Sequence, residues 1–204
     1  MFSGIVQGTA LITSVVQRED VLTIEVGLGD KLVQELAIGA SVAVDGVCLT
    51  AVNIDGGQVK FDLIEETVKC STLGSERLNT TVNIERSLKF GDEIGGHVVS
   101  GHVSGCATVK EIIKGENGRT LLLSCHEDEI VYLMNKGFVA LDGISLTVGE
   151  VNRKDSTFDV HLIPETLAVT TIADKGVGDQ LNLELDATTV AAVEAAKLML
   201  ADRR

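Results

Sequence analysis

The chain has 204 residues, enough for one large or two small domains, and 45% apolar residues with a single Pro fit a compact globule. Its formal charge of -13, with no Lys/Arg run to offset it, argues against nucleic acid and anionic membrane surfaces as partners. The opening "MFSGIVQGTALITSVV" lacks a charged n-region and no stretch reaches membrane-spanning length, so the sequence reads as cytoplasmic; Cys48, Cys70, Cys106 and Cys125, without CxxC spacing, read as reduced thiols.

From the N-terminus, "ALITSVV", "VLTIEV", "VKFDLI" and "TVNIE" are short alternating runs separated by Gly, Asp and Asn turns, the pattern of half-buried strands. "DKLVQEL" from Asp30 spaces Leu32, Val33 and Leu36 along one face and reads as a short helix. In "VDGVCLT" (44–50) Asp45 and Gly46 read as a turn at a strand entry, with Cys48 and Thr50 on one face of the strand that follows. "KFGDEIGGH" (89–97) is a Gly-rich link.

Beyond it the chain repeats itself. "SGIVQGTALI" (3–12) returns as "SGHVSGCATV" (100–109), "DKLVQEL" as "EDEIVYL" from Glu127, and "VDGVCLT" as "LDGISLT" (141–147). After Phe158 and Asp159, which match Phe61 and Asp62, the second copy gains two residues; Glu66-Thr67 then matches Glu165-Thr166, and "VNIE" (82–85) matches "LNLE" (181–184). The predicted organisation is all-β: two small closed barrels, 1–96 (with the linker 89–96) and 97–186, closure being the way for so few strands to avoid exposed edges. Residues 187–204 read as a C-terminal α-helix with Asp186 as N-cap and "DRR" at its negative pole. Val190, Val193, Lys197 and Leu200 form one stripe and Ala191, Ala195 and Leu198 another, so this helix calls for a partner, either a barrel or another subunit.

Duplication sorts the polar residues. Asp45/Asp142, Gly46/Gly143, Leu49/Leu146 and Thr50/Thr147 are shared, as a common scaffold or common ligand requires; Cys48/Ser145, Ile5/His102, Gly39/Lys136 and Ser41/Phe138 differ. The paired small polar groups, Cys48 with Thr50 and Ser145 with Thr147, suit hydrogen bonds to a heteroaromatic ring in each barrel. His102 reads either as a general base or as a hydrogen-bonded barrel histidine. Its spacing from His97 sets the two on opposite strand faces and argues against a metal site. Cys48, with no basic neighbour in sequence, reads as small apolar filling rather than a nucleophile. Asp62, Glu66, Thr67 and "LIPET" (162–166) fall near the same barrel mouth as the Asp-Gly turns, although Pro164 also marks a helix start. Neither a P-loop nor GxGxxG is present.

"MFSGIVQGTA", "GASVAVDGVCLT", "FDLIEET", "FGDEIGGHVVSGHV", "KGFVALDGISLTVGEV" and "HLIPETL", in this order over essentially the whole chain, resemble riboflavin synthase of the α-subunit type. The resemblance implies two tandem six-stranded Greek-key β-barrels and a C-terminal helix through which three chains associate. It also implies dismutation of two molecules of 6,7-dimethyl-8-ribityllumazine to riboflavin and 5-amino-6-ribitylaminouracil, with no metal or organic cofactor. One lumazine would sit in the N-terminal barrel and the other in the C-terminal barrel of a neighbouring chain of the homotrimer, and association with a lumazine synthase shell is a further implied partner. The first site would take Gly4, Ile5, Val6, Ser41, Cys48, Leu49, Thr50, Asp62, Leu63, Ile64, Glu65, Glu66 and Thr67. The second would take Gly101, His102, Val103, Lys136, Ser145, Leu146, Thr147, Leu162, Ile163, Pro164, Glu165 and Thr166. Phe2 belongs to the segment near the reaction centre; His102, with Thr147 or Ser145, would deprotonate one lumazine, and Cys48 or Ser41 would aid addition to the other. Val47 stands where the family often has a second cysteine, on the strand face away from Thr50. The rival implied by resemblance is a non-catalytic lumazine- or flavin-binding antenna protein. Such proteins tend to lose polar residues from the C-terminal half, whereas Ser100, Gly101, His102, Lys136, Ser145 and Thr147 are all in place here.

Overall fold

The computed structural model describes residues 1–74 and 77–201. Its first half comprises β1 (Gly8–Arg18), β2 (Val21–Gly27), α1 (Gly29–Val33), β3 (Ser41–Val44), β4 (Val47–Asp55), β5 (Gln58–Ile64), α2 (Glu65–Cys70) and β6 (Thr81–Arg86). The second half has β7 (Gly105–Gly115), β8 (Gly118–Ser124), α3 (Glu127–Ile130), β9 (Phe138–Leu141), β10 (Ile144–Asn152), β11 (Thr157–Leu162), α4 (Pro164–Val169), a 3-10 turn at Thr171–Asp174 and β12 (Gln180–Leu185). α5 (Ala187–Ala201) follows.

Each half closes into an antiparallel barrel, in the orders β1-β2-β5-β4-β3-β6 and β10-β11-β8-β7-β12-β9. Three hairpin-linked strands, β3 to β5 or β9 to β11, are joined by a last strand that returns beside the first of them, which is a Greek key. Alternation along the strands sends one face inward. In β4, Val47, Leu49 and Ala51 are buried while Cys48 and Thr50 lie on the outer face, and β10 repeats this with Ile144, Leu146 and Val148 inside and Ser145 and Thr147 outside. Phe61 and Phe158 fill the two barrels at matching positions, both fully buried. Register shifts recur at equivalent points in the long strands, between Ile12 and Ser14 of β1 and between Val109 and Glu111 of β7, where a bulge lets an 11-residue strand bend round a small barrel.

The barrels meet across a seam with local two-fold symmetry, and the Asp-Gly turns lie at its centre rather than in solvent. Gly46 and Gly143 sit back to back, so that a Cβ on Gly46 would lie 2.5 Å from the Gly143 nitrogen. Asp45 Oδ1 accepts the Asn83 N–H at 2.7 Å, and Asp142 Oδ1 accepts that of Asn182 at 2.7 Å. The two asparagines then cross the seam, Asn83 Nδ2 donating to the Asp142 carbonyl and Asn182 Nδ2 to the Asp45 carbonyl. Arg77 pairs with Asp45 and Lys175 with Asp142. Burial, with the facing Asp142 charge, holds the Asp45 carboxyl well above the usual range against the pull of Arg77 and Asn83.

Asp186 caps α5 as expected, accepting from Thr189 N and Oγ1. No residue of that helix is fully buried; Val190 and Val193 are half-buried, whereas Leu198, Met199 and Leu200 are each more than 60% exposed, so the apolar C-terminal part of the helix is uncovered in this chain. A polar anchor holds one side of it, where Tyr132 Oη donates to Glu194 and Lys197 lies over the Tyr132 ring. The "DRR" expected at its negative pole lies outside the described residues.

Candidate active site

The segments that open the two repeats trade places. Residues 3–6 leave the N-terminal barrel and cross to the C-terminal one, where Gly4 O accepts from Ser145 N at 2.8 Å and Val6 packs against the second core. Residues 100–103 make the opposite crossing: Gly101 O accepts from Cys48 N at 2.9 Å and Val103 packs against the first core. The crossing needs glycine twice, because Gly4 (φ 73°) and Gly101 (φ 82°) are left-handed. A Cβ on Gly101 would stand 2.5 Å from Cys48 Cβ, and one on Gly4 2.6 Å from Ser145 Cβ. An antiparallel bridge between Phe2 and Val99 ties the two crossing segments together, and Phe2, fully buried there with Ala43, Val99 and Ala140, anchors them.

Two pockets result. One, of about 310 Å³, brings Cys48 together with Ile64, Glu66, Thr67, His102 and Val103. The other, of about 890 Å³, brings Ser145 together with Ile5, Val6, Ile163, Glu165 and Thr166. The expected residue types therefore assemble, with one exchange: Gly4 to Val6 belong with Ser145, and Gly101 to Val103 with Cys48. Sequence alignment assigns each segment to its own repeat, but the chain crossing assigns it to the other.

Other expected members are placed elsewhere. Leu49, Leu63, Leu146 and Leu162 point into the barrel cores and are at most 8% exposed, because they alternate with the outward residues. Fully buried Phe2 lines neither pocket and serves here as an anchor of the crossing segments. Glu65 is turned away from the Cys48 pocket and pairs with Lys69 on α2, and Asp62 accepts from Thr23 Oγ1 on the neighbouring strand. Pro164 occupies the first turn of α4. Ser41 lies opposite Thr50 and Phe138 opposite Thr147 on the outer barrel faces, beyond the lining of the two pockets, as is exposed Lys136 at its left-handed turn. The two pockets thus lie on the barrel exteriors, not at the barrel mouths.

The role of His97 emerges only from the folded chain. There His97 is 7% exposed, its Nδ1 lies 2.7 Å from Ser145 Oγ, and its ring stacks on Phe138 at 5.0 Å. Burial lowers its pKa below 6.5, opposed by the nearby Asp186 carboxylate, so the imidazole is neutral at physiological pH and able to accept a proton. Cys48 has a different imidazole near it: exposed His102, on the pocket wall where the Ser145 pocket has Ile5. Also unread were Asn83, Glu85, Asn182 and Glu184. Their signal was present as polar residues repeated inside the apolar phrases "VNIE" and "LNLE".

A family model described as the lumazine binding domain matches the chain twice, over residues 3–87 and 100–186. Over all 204 residues the chain is 45% identical to riboflavin synthase of Escherichia coli (strain K12), of which it covers 95%. The chain belongs to the riboflavin synthase family. It is an enzyme of that type, and the riboflavin synthase of Chlamydia pneumoniae is 42% identical over 201 residues, 98% of either chain. Among solved structures, LumP complexed with riboflavin superposes with a TM-score of 0.83 at 24% identity, over 91% of this chain and all of that one. LumP complexed with 6,7-dimethyl-8-(1'-D-ribityl) lumazine gives 0.81 at 22%, over 91% of this chain and 99% of that one; both show the shared tandem-barrel fold.

Proposed function

We propose that this family member catalyses the dismutation of two 6,7-dimethyl-8-ribityllumazine molecules to riboflavin and 5-amino-6-ribitylaminouracil. The observation that carries the reading is a pair of pockets equivalent in geometry and unequal in chemistry. A dismutation needs the same molecule bound twice in two roles, four-carbon donor and acceptor, and its two substrates and two products balance without an oxidant or added carbon.

The lumazine 7-methyl group is acidic because its anion delocalises into the ring, so the protein's task is to hold two rings face to face and move a proton. Ser145, with the neutral His97 imidazole as proton acceptor, suits abstraction from the ring in its pocket. Cys48 and His102 face the second ring, where a thiol or imidazole aids nucleophilic addition. Holding the rings in register can supply about 7–11 kcal/mol in well-oriented cases. Because α5 leaves Leu198, Met199 and Leu200 exposed, we place it in a homotrimer that pairs the Cys48 pocket of one subunit with the Ser145 pocket of the next. No helix among the described residues is long and apolar enough to cross a membrane, and we read the protein as cytoplasmic.

The test is to incubate the purified protein with the dimethyl lumazine and follow riboflavin by absorbance. One riboflavin per two lumazines consumed is the expected result. Stoichiometric binding without product would replace this reading with that of a chromophore carrier.

A further inference from the structure

Two buried carboxylates lie behind the crossing segments. Glu85, on β6 of the first barrel, is 3% exposed, and Glu184, on β12 of the second, is 7% exposed. Glu85 Oε1 accepts from Ser3 N at 2.6 Å and Ser3 Oγ at 2.7 Å, and its Oε2 accepts from Gly4 N at 3.0 Å. Glu184 repeats the arrangement on Ser100 N and Oγ, both at 2.7 Å, and on Gly101 N at 2.9 Å. Each serine hydroxyl in turn accepts a backbone N–H two residues on, that of Ile5 at 3.3 Å and that of His102 at 3.1 Å. A carboxylate this deep is tolerated only with its lone pairs filled, and here all three donors to each come from one left-handed turn.

We propose that Glu184 and Glu85 are positioning residues acting in crossed fashion, each on the binding pocket of the barrel it does not belong to. Through Ser100, Glu184 holds Gly101 and His102 over Cys48 on the first barrel. Through Ser3, Glu85 holds Gly4 and Ile5 over Ser145 on the second. Neither carboxylate lines either pocket, so neither touches the ring placed there. Each sets the wall that does. The crossing makes the effect local and predictable in direction: loosening a clamp opens the pocket of the opposite barrel and leaves that of its own barrel closed. The link to turnover rests on the proposed dismutation, whereas the geometry is readable without substrate.

Glutamine is the probing substitution, because in either orientation its amide turns one acceptor into a donor facing backbone N–H groups. Glu184→Gln is expected to raise the iodoacetamide alkylation rate of Cys48, followed by peptide mass spectrometry, about tenfold, with faster amide exchange at residues 101–103. Glu85→Gln is expected to leave Cys48 alkylation unchanged and to speed exchange at 4–6 instead. Ser100→Ala, a milder cut of the same chain, should speed exchange at His102 alone and keeps the test open if Glu184→Gln fails to fold. Loosening of both segments by either variant, or of neither, overturns the proposal. With the segments loosened in this crossed way, an unchanged lumazine KM and kcat in Glu184→Gln would overturn the positioning role, whereas an unsubstituted protein that forms no riboflavin would count against the proposed dismutation and not against the clamps.

Discussion

The Cys48 and Ser145 pockets are built from the same parts: a strand residue on the outer barrel face, a Glu-Thr pair at a short helix, and a crossing segment with a left-handed glycine. They differ in the polar groups on their walls. The Ser145 pocket has a buried, neutral His97 bonded to its serine and an apolar Ile5 on the wall. The Cys48 pocket has a thiol and an exposed His102. The lesson is that duplication supplied two pockets of like shape, and a handful of unequal positions makes them chemically different.

The largest expected effect removes the comparison itself. Gly46→Ala would drive a Cβ into Gly143 at the seam, so both pockets should fail together, with a stability loss of at least the 1–3 kcal/mol typical of backbone strain, read by urea denaturation. Gly101→Ala should instead spoil the Cys48 pocket and Gly4→Ala the Ser145 pocket, since the atoms nearest each new Cβ belong to Cys48 and to Ser145 respectively. Equilibrium titration of lumazine would show one binding event lost in each.

Next in size are the unequal side chains. Ser145→Ala is expected to lower turnover about 10²-fold by stranding His97 from the ring. Cys48→Ser, which gives both pockets a hydroxyl, should cost less; an equal or greater loss would transfer the proton-abstracting role to the Cys48 pocket.

The pH dependence gives a finer discrimination. His97 titrates below its unfolded value of 6.5, so the unfolded chain takes up this proton first. Its contribution to stability is therefore complete above 6.5 and is lost as pH falls from there through the lowered value. The rate should follow it, level through neutrality and falling on the acid side, and Asp186→Asn should move that fall to still lower pH by removing the charge that opposes the shift. A rate profile unmoved by Asp186→Asn would detach His97 from catalysis.

The smallest effect comes from making the walls alike. Ile5 is 47% exposed, so Ile5→His should change stability by no more than about 0.5 kcal/mol while narrowing the difference in lumazine affinity between the pockets, measured by calorimetry.

Much of this was legible beforehand. Two barrels follow from alternation and the repeat, because burial on one face of a strand imposes a period of two that survives duplication. The Asp186 cap and the start of α4 at Pro164 are local, one or two turns long, and were readable for that reason. Leu49, Leu63, Leu146 and Leu162, expected at the sites, face the cores; for Leu49 and Leu146, alternation with Cys48 and Thr50 and with Ser145 and Thr147 already argues for that face. The pairing of His97 is not legible in the sequence because its partner Ser145 is 48 residues away, a distance at which no spacing rule operates.

The sequence by itself determined the duplicated all-β architecture, the chemical types that line two equivalent pockets, and the positions at which they are unequal, all consequences of local periodicity and of comparing one half with the other. Only the tertiary structure decided which segment serves which barrel. The crossing of residues 3–6 and 100–103 depends on backbone hydrogen bonds to strands of the opposite repeat, on two glycines pressed against Cys48 and Ser145, and on carboxylates buried behind them. These are long-range pairings whose free energy comes from burial and satisfied donors at the seam, and a linear pattern carries no record of which of two identical partners is chosen.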